Sequence, residues 1–158
     1  MSDARFEDGA ERPLHLAAQD SESLQVISAL MQDAVFPITD MRWQRGRRRF
    51  AILANRFRWE DRAAAERRGR PYERVRSLLV VDDVTAVRSA GVDRADRDLV
   101  LSALSLSWEP GDAPAGVLTL ILAGDGAIAL DADCLDVTLR DITRPHVAPS
   151  GKVPDHGI

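Results

Sequence analysis

Six arginines fall within fourteen residues: Arg45, Arg47, Arg48, Arg49, Arg56 and Arg58. Each guanidinium offers a planar fork of N–H donors that matches a carboxylate or a phosphate. Trp43 precedes the run and Trp59 follows it. Arginines with aromatic neighbours suit two kinds of recognition. One is an acidic protein surface or peptide met by these six arginines and Trp43. The other is weak nucleic-acid binding, with arginine on phosphate and an aromatic ring under an unpaired base. The first is the expectation. The second has against it a net charge of −4 and the lack of a helix-turn-helix or RNA-recognition signature. Strict alternation also assigns Trp59 to the core rather than to a stacking surface.

Catalytic constellations are harder to find. Cys134, His15, His146 and His156 form no metal-ligand spacing. No nucleophile elbow, P-loop or dinucleotide fingerprint occurs. Gly124, Asp125 and Gly126 read as a hairpin turn. Asp82 and Asp83 are strand neighbours that point to opposite faces, so they cannot share a proton. Glu60 and Glu109, each following a tryptophan, could form an acid/base pair but read as solvated strand ends. His15, between two leucines, reads as solvent-facing. The expectation is a non-catalytic binding or regulatory module without cofactor or metal. A small-molecule or enzymatic role in a barrel-mouth pocket is a third reading, with no residue to anchor it.

Charge is distributed unevenly. Residues 42–76 hold 13 arginines against four acids, and the rest of the chain holds 8 basic and 21 acidic residues. Such asymmetry points to an anionic partner, although acidic segments can also fold beside the basic one and neutralise it. With 158 residues and no apolar run of membrane-spanning length, the chain reads as one domain without a membrane segment. An acidic N-terminus without an apolar core, and a single cysteine, fit a cytoplasmic protein.

The elements that must position the arginines follow from periodicity. Residues 1–12 have no pattern and are expected to be a flexible arm. Residues 13–18 alternate as a strand. Asp20 or Ser21 caps a helix whose face is Leu24, Ile27, Leu30 and Met31. Residues 35–38 form a short strand whose Pro37 marks a sheet edge open to strand addition. A hairpin follows, with Gly46 supplying positive φ in its turn. The long strand after it contains the alternating rows of Phe50, Ile52 and Ala54 and of Ala51, Leu53 and Asn55. Residues 60–70 could form a short, highly charged helical turn stopped by Gly69 and Pro71, but they lack an apolar stripe and read as a mobile loop. Strands are expected at 73–81, 84–88, 99–109, 117–122 and 127–130. A second helix is expected from Asp131 or Asp133 to Pro145, on the spacing of Leu135, Leu139 and Ile142. Residues 146–158 read as a disordered tail.

An offset of 49 residues lays 33–60 over 82–109 with seven identities, among them Arg45/Arg94, Arg48/Arg97 and Trp59/Trp108. That suggests an internal pseudo-repeat. One helix near each end and antiparallel strands between them give an α+β fold. The expected form is a strongly bent antiparallel sheet or a partly open small barrel. Closed by a C-terminal helix, it resembles the pleckstrin-homology architecture in element order.

The strand ending N-R-F-R-W-E, the segment E-R-V-R-S-L-L-V-V and the closing L-D-A-D-C-L-D-V-T-L-R-D-I carry a further likeness. Over residues 13–145 the chain resembles a family of short uncharacterised alphaproteobacterial proteins. The resemblance implies a bacterial cytoplasmic protein with no assigned activity, and so no catalytic residues to transfer.

Overall fold

The computed structural model describes residues 13–147. The flexible arm expected at residues 1–12, and the tail from residue 148 onward, lie outside the described residues. Strand β1 (His15–Ala18) leads into helix α1 (Ser21–Met31). The Asp20 carboxylate accepts a 2.7 Å hydrogen bond from the Ser23 amide and so caps the helix start. Leu24, Ile27 and Met31 make its buried face. The helix packs against β1 and against two later strands, β4 (Arg49–Phe57) and β7 (Val100–Pro110).

The other strands are β2 (Val35–Pro37), β3 (Met41–Gln44), β5 (Glu73–Val81), β6 (Val84–Ala90), β8 (Gly116–Leu122), β9 (Ala127–Ala132), β10 (Val137–Asp141) and β11 (His146–Val147). Every pairing is antiparallel. The order is β1-β10-β5-β4-β2-β7-β8-β9-β6, with β3 attached to β4 and β11 to β5. Only Asp82 and Asp83 join β5 to β6, yet β6 ends the order and β5 lies near its start. An open sheet meets that constraint by bending until its two halves face each other. Backbone bonds stitch the fold: Asp82 N to Asp136 O (2.9 Å), Asp133 N to Asp83 O (3.0 Å) and Val84 N to Arg48 O (2.9 Å). One core joins both halves, with Ile52, Leu79 and Leu139 against Leu118, Leu120 and Leu130. The fold is α+β, dominated by this open sheet.

Several expectations are corrected. The second helix does not form: residues 137–141 are strand β10, between β1 and β5. Leu135 and Leu139 satisfy an i, i+4 spacing that helix and strand share. Val137, β-branched and wholly buried midway between them, decides for the strand. The closing helix behind the pleckstrin-homology comparison is therefore a strand. The segment read as a mobile loop holds a helix, α2 (Arg62–Arg68), which buries only Ala65. Gly69, at φ 64°, ends it, with Arg70 N bonded to Ala65 O and Gly69 N to Glu66 O. That is a Schellman closure, so capping rather than an apolar stripe defines the helix end. In the β3–β4 connection Gly46 is not left-handed. The turn Arg45–Arg47 is 3₁₀, and Arg48 takes the positive φ of 54° at its end. His146 and Val147 pair with Arg74 and Glu73 rather than hanging free.

Candidate functional site

The arginine hairpin is formed by β3 and β4, in register from Met41 opposite Ile52 to Gln44 opposite Arg49. Its six candidate arginines have different fates. Arg56 is wholly buried because it continues the inward row of Phe50, Ile52 and Ala54. Its Nη1 and Nη2 donate to the two Glu60 oxygens at 2.9 and 2.7 Å, Nη2 also donates to Asp141 at 2.9 Å, and Nε donates to Ser77 Oγ at 2.9 Å. Burial disfavours the Arg56 charge, but the bonds and charges of Glu60 and Asp141 more than offset it. Arg58 is also buried and donates to Glu73 at 2.7 Å, with Asp61 at 3.6 Å. Burial alone would raise the Asp61 carboxyl, but bonding to Arg70 and the charges of Arg58 and Arg70 hold it below its ordinary value. Arg48 pairs with Asp133, and Arg49 with Asp82 at 2.8 Å. Those two pairs tie the hairpin to the β5–β6 and β9–β10 crossovers.

Arg45 and Arg47 are exposed in the turn, and among the described residues neither forms an ion pair. Trp43 is half-buried on β3. A cleft of about 330 Å³ opens beside them. Trp43, Arg45 and Phe50 line one side; Thr85 and Val87 of β6, with Arg94 beyond it, line the other. Arg94, exposed and likewise without an ion pair among the described residues, was not a candidate from sequence. It had one signal: it is the counterpart of Arg45 in the 49-residue offset, and both border this cleft.

A second cavity, about 480 Å³, is lined by Gln19, Trp108, Pro114, Cys134, Leu135 and Asp136. The Cys134 thiol donates to Asp83 at 3.2 Å, and that bond together with burial pushes its pKa up, away from the thiolate a nucleophile needs. Asp136 is raised by burial and by the charges of Asp82 and Asp83. Among the described residues, no group of three or more histidine, cysteine or acidic side chains is arranged to hold a metal.

The remaining candidates are placed as follows. Trp59 stands in a 3₁₀ turn, donates to Gln32 O at 2.9 Å and packs edge-on against Phe57 at 4.6 Å. Trp108 lies inside β7, opposite Leu118 and over Gly116, so the two tryptophans have different surroundings. Glu60 is held by Arg56, while Glu109 is exposed near the end of β7. His15 is exposed. The strand edge expected at 35–38 is filled on both sides, since β2 pairs with β4 and with β7. The unpaired edges belong to other strands, among them β3 and β6.

No helix among the described residues is long and apolar enough to cross a membrane. No curated protein and no solved structure matches the chain. The family model of DUF2948, described as a protein of unknown function, matches residues 14–156, and the chain belongs to that family.

Proposed function

We propose that the protein is a non-catalytic binding module that takes an acidic protein or peptide on the cleft bordered by Arg45, Arg94 and Trp43, with Arg47 exposed in the same turn as Arg45. One observation carries this reading. Arg48, Arg49, Arg56 and Arg58 already meet carboxylates, whereas among the described residues Arg45 and Arg47 meet none, and Arg45 borders an open cleft. A guanidinium left in water keeps its fork of donors for an incoming carboxylate. The nucleic-acid reading has less support, because a backbone-tracking groove needs a row of free cations and four of the six hairpin arginines are already engaged.

The test is binding of fluorescent polyglutamate, and of a labelled single-stranded oligonucleotide, below and at physiological ionic strength of about 0.15 M. The expected result is salt-sensitive polyglutamate binding that falls about tenfold or more in the Arg45→Glu/Arg47→Glu variant. Equal binding by that variant and the wild type would overturn the assignment. Tighter binding of the oligonucleotide than of polyglutamate would favour the nucleic-acid reading instead.

A further inference from the structure

Two strand edges border the cleft, and each is bonded on one side only: β3 to β4, and β6 to β9. An unpaired edge leaves the N–H and C=O of alternate residues pointing outward, ready to pair with another chain. At one end the two sides meet, where Val84 N donates to Arg48 O at 2.9 Å. Beyond it β6 is bulged, its register against β9 shifting between Val84 and Ala86. A bulge bends its strand and interrupts pairing, and the cleft opens beside Thr85. The side chains on its walls are of two kinds, apolar ones on the strands and arginines in the segments that follow them. Trp43 and Val87 pack against the core from the floor. Arg45 and Arg94 stand at the mouth, with no ion-pair partner among the described residues.

Resting on the binding function proposed above, we infer that the ligand is a short extended segment of a partner protein, added as a strand along the β3 and β6 edges. Its acidic residues occur at every second position. Side chains of an extended chain alternate between two faces, so one row would meet Arg45 and Arg94 while the other covers Trp43, Phe50 and Val87. The cleft volume of about 330 Å³ is at the low end of the range for ligand sites, about 300–1,000 Å³. Main-chain bonds would supply affinity, and the two arginines would select for acidity.

The experiment uses the full chain and an array of heptapeptides in which glutamate or aspartate alternates with valine, isoleucine, phenylalanine or tryptophan. The best binder is compared with its counterpart N-methylated at alternate amides, which keeps the charge but removes the edge donors. Hydrogen exchange is read over Met41–Gln44 and Val84–Ala90. Strand addition predicts at least about tenfold weaker binding of the methylated peptide, and slowed exchange on both edges with the parent peptide. Equal affinity of the two peptides would overturn strand addition and leave the acidic-ligand function standing. An array without binders, alongside a positive polyglutamate result, would do the same; loss of both would remove the function as well. Edges already protected in dilute, peptide-free protein, or protected only as protein concentration rises, would also overturn it, because the seam would then hold this chain itself or a second copy.

Discussion

Arg56 Nη2 lies 2.9 Å from Asp141 Oδ1, although 85 residues separate them in sequence. The same Asp141 oxygen accepts from Ser77 Oγ at 2.7 Å, and its other oxygen accepts from the Leu14 amide at 3.0 Å. One carboxylate therefore joins β4, β5 and β10 to the chain just before β1. Removing Arg56 would strand that carboxylate in the interior. Arg56→Ala is expected to cost about 3–5 kcal/mol, the usual penalty for breaking a buried ion pair by deleting one partner. Urea unfolding measures it, and a midpoint unchanged from wild type would contradict the structural role.

Arg45 and Arg47 should behave in the opposite way. They are exposed and meet no carboxylate among the described residues, so Arg45→Ala and Arg47→Ala should each change stability by no more than about 0.5 kcal/mol. Thermal melts of the two variants check this. A large loss would place these side chains in the folding framework and take them out of the contact surface.

Gly116 sits where another backbone and a ring approach. A Cβ there would lie 2.6 Å from Glu109 O and 2.5 Å from a ring carbon of Trp108. Gly116→Ala forces β7 and β8 apart or turns the indole, at about 1–3 kcal/mol for overpacking. A lower melting temperature and a shifted tryptophan emission are the expected signs.

Asp136 sets a pH dependence. Burial, and then Asp82 and Asp83, raise its folded-state pKa above the ordinary 3.8. A carboxyl raised on folding binds its proton more tightly in the native state. Its contribution is neutral below 3.8, becomes increasingly unfavourable as pH climbs from 3.8 to the raised value, and is constant above that. Asp136→Asn should therefore stabilise the protein at pH 7 by up to about 0.5 kcal/mol, as is usual for a partly exposed site. The gain should shrink as pH falls towards 3.8. A constant gain across the titration would show that charge is not its source.

The local elements were legible because their signals are local. Asp20 ahead of Leu24, Ile27 and Met31 announces α1, and the rows of β4, β5, β7 and β8 announce strands through period-two burial. Arg56 was expected on the contact surface, yet it continues the buried row of Phe50, Ile52 and Ala54. Nothing local could say that Ser77, Glu60 and Asp141 would be there to receive it. The Leu135–Leu139 spacing fitted two periods at once; the β-branched Val137 between them favours the extended one, and the place of β10 between β1 and β5 buries it. Which arginines face water was settled the same way. Sequence sets the number and order of the charges, but their neutralisation depends on carboxylates brought from tens of residues away, such as Asp82 to Arg49 and Asp133 to Arg48. Periodicity determined a sheet-rich domain with a basic hairpin. The bend of the sheet decided that only part of that basic charge meets a carboxylate among the described residues.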